Sequence, residues 1–459
     1  MNHPTSIAST ASIKLLATRR DFIKTTGRIA AASALAGVAL PRVHAAGDDT
    51  VRLAIIGCGP RGTGAVGNAF SAPGNPFKLV AMADLFDEKL QKAHGALTRQ
   101  FPEKMDVPSE RQFIGFDAFQ RAMDCIRPGT GDIAMLTTRA AFRPTHFKHA
   151  VARGLNVFME KSFAADAGGI KLLLKANEVA VAKGLKVACG FQCRHSSARQ
   201  ALIARMRNGD MGDIIFIRAY RMQSGGMMGP HKADADELLW QIKQPVALLW
   251  SSGGTWMENM IHQVDECCWI KDAWPVSAHG MGGRVPWSTD CSQNFDNYTI
   301  EYTFSDGAKA LVQGRFWPGC YNEFATFAHG TRCAAQFSGN IHAATVQTYK
   351  DQRIANDNIA WQAEKEECGP WDAEWRDFLD AIRKNKPYNE LERAAHSNLV
   401  SLMGRAAVHS GRVVTWEEAT ASTFRFCDVD ALTPGSKPPF MPDAQGRYPA
   451  PIPGKWSEI

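Results

Sequence analysis

A short apolar run that leads into a glycine-rich turn constrains the fold of this chain more than any other feature. Residues 51–62 read Val-Arg-Leu-Ala-Ile-Ile-Gly-Cys-Gly-Pro-Arg-Gly, and a helical stretch follows them. In a strand–turn–helix unit, Gly57 permits the tight turn, Gly59 lets the backbone approach a phosphate, and Gly62 lets the helix pack close to the strand. The free N–H groups at the start of that helix favour an anion. The pattern therefore predicts a dinucleotide-binding turn.

A carboxylate at the end of the second apolar run supports the same interpretation. Asp84 closes the run Leu79–Ala83 and lies 22 residues beyond Gly62. A carboxylate at this distance would accept hydrogen bonds from the hydroxyls of a ribose, and it would repel the 2′-phosphate of NADP. The sequence therefore favours NAD over NADP.

Strand-like and helix-like segments alternate from residue 51 to about residue 164. Such alternation indicates a parallel sheet with helices on both of its faces. The strand that ends at Cys189 is expected to belong to the same sheet. We therefore predict an α/β fold whose first part, residues 46–195, is a Rossmann nucleotide-binding domain.

The pattern changes near Ile214, where a strand of a new sheet begins. Apolar and polar residues alternate between residues 298 and 304, which indicates a strand with one covered face. A hairpin loop follows, so we predict an α+β domain over residues 196–430 with an open, mostly antiparallel sheet. The proline-rich tail, residues 431–459, is expected to wrap the surface as an extended strap.

The first 45 residues have the features of an export signal. Thr18–Lys24 contains a twin-arginine pattern, a mild apolar run follows from Ile29 to Leu40, and small residues precede a cleavage site near Ala45. The apolar run is shorter than the roughly 20 residues that span a bilayer, so no stable membrane anchoring is expected. The sequence predicts that residues 1–45 are a twin-arginine signal peptide and that the folded protein is periplasmic. The alternative is a leader without targeting value.

Charge and cysteine content exclude some classes of function. The net charge is +6, but the first 45 residues carry six basic side chains against the single acid Asp21, so the remainder carries only +1. No basic cluster with interleaved aromatic residues occurs, so nucleic acid is not an expected partner. The eleven cysteines form no Cys-x-x-Cys pair, so their spacing predicts neither a zinc site nor a particular disulfide.

Two groups of polar residues could carry chemistry. Glu160-Lys161 directly follows a buried strand, and open α/β sheets bind ligands at that carboxyl edge. A lysine there could orient a substrate hydroxyl and assist proton movement; a surface ion pair is the alternative. Glu258, His262 and Asp265 would share one face of a helix, where the acid could hold the tautomer of the histidine and make it a proton acceptor. The alternative is a packed polar helix.

These motifs together resemble the Gfo/Idh/MocA oxidoreductase family over essentially all of the chain after the signal. The resemblance is carried by the glycine turn, Glu160-Lys161, the run Gly190–His195, and the acid-x-x-x-His-x-x-Asp run at residues 258–265. Segments near the C-terminus resemble a branch common among exported bacterial members: Asn389–Ser397, Met403–Arg405 and Val414–Trp416.

The resemblance implies a Rossmann domain, a second domain with an open sheet that pairs in a homo-oligomer, bound NAD(H), and a small carbohydrate substrate, either a sugar, a glycoside or a cyclitol. It implies no metal. The implied catalytic residues are Lys161, His262 and Glu258. The implied cofactor-binding residues are Gly57, Gly59, Arg61, Gly62, Asp84, Thr137, Thr138, His146, Glu160, Lys161 and Gln192. The implied substrate-binding residues are Arg194, His195 and Asp265.

Three positions depart from the family's usual pattern. Ser162 replaces the proline of Glu-Lys-Pro and is expected to loosen the peptide that presents Lys161. Glu258 stands where an aspartate is common, and Thr137-Thr138-Arg139 replaces a Thr-Pro turn near the cofactor. None of these changes removes a chemical group that hydride transfer needs.

Three hypotheses for the function follow. The first is an exported oxidoreductase that moves hydride between a carbohydrate hydroxyl and a tightly held nicotinamide. The second is an NAD-dependent glycosidase or lyase, in which oxidation at C3 acidifies the neighbouring C2–H and permits elimination. The third is a non-catalytic nucleotide-binding sensor, against which the presence of both Lys161 and His262 argues.

Overall fold

The first apolar runs of the sequence form a parallel sheet of six strands. The computed structural model describes residues 50–72, 76–233, 236–339 and 345–459, and Thr50–Ile459 form one unit by their contacts. The predicted signal peptide lies outside the described residues. The strands of the first sheet are β1 (Val51–Ile56), β2 (Phe77–Asp84), β3 (Gln112–Ile114), β4 (Ile133–Leu136), β5 (Asn156–Met159) and β6 (Val187–Cys189).

The strand order is β3-β2-β1-β4-β5-β6, and every neighbouring pair is parallel. This is the order of a Rossmann sheet, so the predicted α/β fold is confirmed for this part of the chain. The helices around it are α1 (Pro60–Ser71), α2 (Asp87–Gln100), α3 (Ala118–Met123), α4 (Arg143–Ala152) and α5 (Ala167–Ala182). The next helix, α6 (Ser197–Arg207), contacts a strand of the second sheet, Ala334–Ser338.

The central strand β1 shows why its sequence is almost wholly apolar. Leu53 and Ile55 pack with α1 and α2 on one face of the sheet, whereas Ala54 and Ile56 pack with α3, α4 and α5 on the other. All four residues are at most 2% exposed. A strand covered on both faces reads as a continuous apolar run rather than an alternating one.

The second sheet has nine strands in the order β14-β13-β12-β11-β7-β10-β9-β8-β15. Among the described strands of this sheet, β7 and β10 are the only neighbours that run parallel, and every other neighbouring pair is antiparallel. The predicted, mostly antiparallel architecture is therefore confirmed. Its strands are β7 (Ile214–Met222), β8 (Ser277–Gly283), β9 (Asn297–Thr303), β10 (Lys309–Arg315), β11 (Glu323–Gly330), β12 (Ala334–Ser338), β13 (Gln347–Tyr349), β14 (Ile359–Gln362) and β15 (Val414–Thr415).

Helices cover one face of this second sheet. The remaining helices are α7 (Glu237–Lys243), α8 (Leu249–Ser252), α9 (Gly254–Lys271), α10 (Pro370–Arg383), α11 (Leu391–Ser410) and α12 (Trp416–Ala421). Single 3₁₀ turns lie at Pro102–Lys104, Ser109–Arg111, Gln192–His195, Asn356–Asn358 and Val429–Ala431. In β9, Tyr298, Ile300 and Tyr302 are buried on the side of α11, where the Tyr302 hydroxyl donates to the Val400 carbonyl at 3.1 Å. The alternate residues of β9 face outward, and pairing of that face in a homo-oligomer stays a prediction.

Helix α10 joins the first sheet rather than the second. The sequence places it within residues 196–430, where an apolar stripe at i, i+3, i+4 and i+7 predicts a helix: Trp375, Phe378, Leu379 and Ile382. In the structure the Trp375 ring stacks on Phe158 with centroids 4.4 Å apart and meets the Phe77 ring edge-on at 5.9 Å. The stripe therefore predicted the helix, but periodicity alone does not say which sheet the stripe will meet. The domain boundaries themselves stay a prediction.

The C-terminal tail is irregular, as expected, but it does more than cover the surface. It contains no helix or strand after the turn that ends at Ala431. Two of its side chains, Tyr448 and Glu458, are only 2% and 3% exposed. The Glu458 carboxylate accepts a hydrogen bond from Arg405 Nε of α11 at 2.8 Å, so the last residues of the chain are anchored in the interior.

The described part of the chain shows three further features that bear on function. All eleven cysteines are free thiols. No group of three or more His, Cys, Asp or Glu side chains within the described ranges is arranged to hold a metal ion. Among the described helices, none combines the length and the apolar character needed to cross a bilayer.

Candidate active site

The glycine turn lies between β1 and α1, and its backbone explains the choice of glycine at two positions. Gly57 has φ = +103°, and a Cβ there would lie 2.7 Å from the backbone of Thr137. A Cβ on Gly62 would collide with the carbonyl oxygen of Gly57. No atom lies within 4 Å of the Cβ position of Gly59. The turn is thus tight on its inner side and open at Gly59, where a phosphate could approach.

Asp84 ends β2 beside this turn. Its carboxylate accepts hydrogen bonds from the backbone N–H of Cys58 at 2.6 Å and from that of Phe86 at 2.9 Å. Burial raises the pKa of Asp84 above its ordinary value. The carboxylate therefore helps to close the glycine turn, a role that the spacing of the sequence did not reveal.

A cleft of about 250 Å³ opens along the carboxyl edge of the first sheet. Among its walls are these residues from the predicted cofactor set: Gly57, Gly59, Arg61, Gly62, Asp84, Thr137, Thr138 and His146. The Thr137 hydroxyl donates to the Gly57 carbonyl at 2.6 Å, and Thr138 Oγ1 lies 3.2 Å from His146 Nδ1. Burial among aromatic rings lowers the pKa of His146 to about 3, so this imidazole is neutral.

Other cleft residues were missed by the sequence analysis. Arg139, which was noted only as a departure from a Thr-Pro turn, lines the cleft together with Lys89 and Phe142. Ile242 and Pro245 line it as well, although they lie about 100 residues farther along the chain, in and after α7. No local motif marks them, because only the fold brings α7 to this edge.

Glu160 and Arg61, both predicted to contact the cofactor, are paired with each other. Arg61 Nε donates to Glu160 Oε1 at 2.6 Å, and the Glu160 side chain is only 4% exposed. Arg61 reaches the cleft, whereas Glu160 lies behind it. Gln192 is buried at the start of a 3₁₀ turn and is not among the residues that line the cleft.

Lys161 follows β5 and meets α9 across the space between the two sheets. Its ammonium donates to Glu258 Oε2 at 3.1 Å and to the Glu258 carbonyl at 2.5 Å. Both side chains are 18% exposed, so the pair remains accessible. Lys161 is therefore held in place by the helix that also carries His262.

His262 lies one turn beyond Glu258 on α9, with its ring 5.9 Å from that of Phe191. Its Nδ1 atom is buried and has no hydrogen-bond partner among the described residues. Burial, followed by the positive charges of Lys161 and Arg221, lowers the pKa of His262 well below its usual range. The imidazole is thus neutral and can accept a proton. Glu258 does not bond it, so the expected acid–histidine contact is replaced by the bond of Glu258 to Lys161.

Ser162, expected to loosen the peptide after Lys161, is held on both sides instead. Its hydroxyl donates to the Met257 carbonyl of α9 at 2.8 Å, and its own carbonyl accepts a hydrogen bond from the Arg143 guanidinium. The Lys161–Ser162 peptide bond is cis. The serine therefore connects the loop after β5 to the helix that carries His262.

The three predicted substrate residues are engaged with protein partners. Arg194 makes two hydrogen bonds of 2.8 Å to the Asp265 carboxylate, which is buried. His195 Nδ1 lies 2.9 Å from Asp377, and although burial acts against the charged form, the bonds to Asp377 and Glu390 raise the pKa of His195 to about 10. The structure gives all three a place in ion pairs within the protein, and their assignment to substrate stays a prediction.

Comparison with curated proteins finds one dehydrogenase. An inositol 2-dehydrogenase of Gluconacetobacter diazotrophicus is 25% identical over 228 residues, which are 49% of this chain and 56% of the relative. The chain therefore aligns with little more than half the length of that protein. No protein-family model matches the chain.

Comparison with solved structures covers far more of the chain. The aldose-aldose oxidoreductase of Caulobacter crescentus, complexed with glycerol, has a TM-score of 0.63 at 16% identity and covers 80% of this chain and 99% of its own. The scyllo-inositol dehydrogenase of Lactobacillus casei, with bound NAD(H) and scyllo-inositol, has a TM-score of 0.59 at 18% identity with the same coverage.

These neighbours share the arrangement described here, a parallel sheet of Rossmann order followed by a large, mostly antiparallel sheet. At such identities the likeness is one of fold. The resemblance first drawn from the motifs is confirmed at that level: this chain has the fold of the Gfo/Idh/MocA-type sugar and inositol dehydrogenases.

Proposed function

We propose that the protein is an NAD-dependent oxidoreductase that acts on the hydroxyl group of a sugar, glycoside or cyclitol. The observation that carries the proposal is the joint position of two sites along the carboxyl edge of one sheet. A dinucleotide-type cleft follows β1, β2 and β4, and Lys161 follows β5 and bonds Glu258 of α9, the helix that carries the neutral His262. The relatives named above are aldose and inositol oxidoreductases by name, which supports the same class of substrate.

The residues of the cleft fit a dinucleotide. The open side of Gly59 and the free N–H groups at the start of α1 would receive the pyrophosphate. Asp84 would accept hydrogen bonds from the adenosine ribose, and its negative charge favours NAD over NADP. Thr137, Thr138 and His146 would complete the pocket. When bound, the nicotinamide would take up the hydride that the substrate carbon releases.

The side chains of this protein would divide the remaining work between a cation and a neutral base. The Lys161 ammonium would bind the reacting oxygen of the substrate and polarise it, while Glu258 keeps that ammonium in position. His262 would take the hydroxyl proton, because burial and the nearby cations keep its imidazole neutral. In the reverse direction the same groups would return the proton to the alkoxide.

The α7 segment, residues 237–245, supports the proposal that the cofactor is held tightly. Ile242 and Pro245 form part of the cleft wall, and Arg139 donates to the carbonyl oxygens of Ile242 and Lys243 at 3.2 and 3.1 Å. Lys243 also forms an ion pair with Glu88 of α2. A segment tied to both sides of the cleft would slow the release of a bound dinucleotide.

We propose further that the protein is exported folded, with its cofactor already bound. The compartment outside the cytoplasm offers no pool of free nicotinamide, so a retained cofactor and a twin-arginine signal would complement each other. Replacing Arg19 and Arg20 by lysine should keep the protein in the cytoplasm. Periplasmic recovery of that variant at the level of the unaltered protein would refute the assignment of the signal.

The experiment that tests the activity is near-UV absorbance of the NAD-loaded protein, mixed in stoichiometric amounts with a panel of sugars, glycosides and cyclitols. A stable rise of the reduced-nicotinamide signal with one ligand class is expected. A transient rise that decays as free sugar appears would replace the proposal by the redox-assisted glycosidase. Absence of any change across the panel, with NAD bound, would favour the sensor.

A further inference from the structure

Arg221 lies next to the proposed reaction site, and no acidic side chain of the described residues forms an ion pair with it. It lies near the end of β7, on the side of the second sheet that faces α9, because Ile217 and Ala219 of the same strand are fully buried on that side. Its Nη1 atom donates to the carbonyl oxygen of Asn259 at 3.1 Å. Asn259 lies three residues before His262, and the charge of Arg221 contributes to the lowered pKa of His262.

Neutral groups alone hold this guanidinium in place. Besides the Asn259 carbonyl, Nε donates to Gln223 Oε1 at 3.2 Å, and the guanidinium lies over the Phe324 ring at 4.4 Å. Burial lowers the pKa of Arg221 to about 10, which still leaves it charged at neutral pH. In the described part of the chain, no carboxylate forms an ion pair with it.

Two other buried arginines near α9 each lie close to an acid, whereas Arg143 donates to the Ser162 carbonyl and forms no ion pair with a described residue. Arg199 lies 3.4 Å from Glu266, and Arg405 lies 2.8 Å from Glu458. Partial removal of a cation from water costs free energy that an opposite charge offsets. Contacts with an amide, a carbonyl and a ring orient Arg221 but leave its charge uncompensated. A guanidinium prepared in this way binds carboxylate or phosphate oxygens through paired, charge-assisted hydrogen bonds.

We infer that Arg221 receives an anionic group of the substrate, so that the carbohydrate is an acidic one that carries a carboxylate or a phosphate. The inference rests on the proposed function, because it places the reacting hydroxyl at Lys161 and His262. Arg221 is then a binding residue that selects the substrate by charge, and it takes no part in the transfer of the proton.

The test compares acidic and neutral sugars of matched shape on the NAD-loaded protein. Glucuronate and glucose 6-phosphate represent the two anionic groups, and glucose is the neutral reference. In single turnovers, in which the bound NAD is the oxidant, we expect the second-order rate constant of NAD reduction by at least one acidic sugar to exceed that for glucose by about 10-fold or more. Arg221→Gln should lower that rate constant by about 100-fold, mainly through weaker binding of the acidic sugar, and should lower the value for glucose by less than about 10-fold. Arg221→Lys should restore part of the loss.

Arg218→Gln provides the matched control. Arg218 lies on the same strand but on the opposite face of the sheet, where its Nε donates to His329 and its guanidinium lies over Phe327. Its replacement should leave both classes of sugar unaffected. A preference for glucose, or an equal loss for acidic and neutral sugars in Arg221→Gln, would overturn the inference.

Calorimetric titration of the NADH-loaded protein with the same three sugars separates the two claims. If no sugar is oxidised, the proposed activity fails. If glucuronate or glucose 6-phosphate nevertheless binds, and Arg221→Gln abolishes that binding, the inference of an anionic ligand at Arg221 is still supported. If glucose is oxidised and Arg221→Gln changes neither binding nor turnover of the acidic sugars, the activity stands and the inference fails.

Discussion

At the residue scale, the site separates a charged group from a neutral one over a short distance. The Lys161 ammonium is paired with the Glu258 carboxylate, whereas His262 is buried near cations, which lowers its pKa and keeps it neutral. The spacing of Glu258 and His262 placed both on one face of a helix, and the structure agrees. Spacing within a helix does not, however, predict a partner from another element, so the bond from Lys161, 97 residues earlier, was missed.

His262→Asn tests the neutral base. The substitution keeps a polar side chain but removes the group that accepts the proton, so single-turnover reduction of NAD should fall by about 100-fold or more. Binding of NADH, followed by its fluorescence, should change by less than about 3-fold. The exposed His279 of β8 provides the control, because His279→Asn should react at the unaltered rate.

The pH profile of the same reaction adds a second readout. Since the pKa of His262 is lowered well below the usual value near 6.5, its proton-accepting form is fully present from pH 8 down to pH 6. The rate should therefore show no loss in this interval on account of His262. A rate that halves near pH 6.5 in the unaltered protein, but not in His262→Asn, would contradict a depressed pKa.

At the element scale, local patterns predicted what each segment becomes but not what it meets. The glycine turn, the strands of both sheets and the helix at residues 370–383 follow from apolar periodicity. The same patterns carry no information on contacts between distant segments. The α7 segment reaches the cleft through Ile242, and Arg139 bonds the end of α7, although no motif joins these residues. Such contacts depend on the whole fold.

Gln241→Ala tests whether the α7 segment retains the cofactor. Gln241 is fully buried, accepts a hydrogen bond from Trp250 Nε1 at 2.7 Å and donates to the Phe440 carbonyl at 2.6 Å, but it does not line the cleft. The two lost bonds are together worth about 2 kcal/mol, so release of NADH into excess NAD should become up to about 30-fold faster. Gln244→Ala, three residues on, should release NADH at the unaltered rate. Equal release rates for all three proteins would remove α7 as the retaining element.

At the scale of the whole molecule, one buried arginine connects the end of the chain to the start of the helix that carries His262. Arg405 of α11 donates to the Gly253 carbonyl before α9 at 2.9 Å and to the Ala165 carbonyl before α5 at 3.1 Å. Glu458, the last residue but one, forms an ion pair with Arg405, with 2.8 Å between Glu458 Oε1 and Arg405 Nε. The proline-rich tail was predicted only as a surface strap because its composition does not reveal a buried acid so near the terminus.

Glu458→Gln should destabilise the protein by an amount that depends on pH. Burial opposes the charge, but Arg405 and His409 lower the pKa of Glu458 to about 2, against about 4.3 in an unfolded chain. Because the folded value is the lower one, the carboxylate contributes fully above pH 4.3, and the contribution is lost as the pH falls towards 2. The difference of about 2 units corresponds to about 3 kcal/mol at pH 7.

Guanidinium unfolding of Glu458→Gln and the unaltered protein from pH 7 to pH 3 measures this contribution. The free energies of unfolding should differ by about 3 kcal/mol at pH 7, and the difference should shrink below pH 4.3 to about half of that value at pH 3. Glu417→Gln, at an exposed position of α12, should match the unaltered protein throughout. A deficit of constant size at every pH would mean that Glu458 acts through its packing, and the charge of Arg405 would then need no counter-ion at the end of the chain.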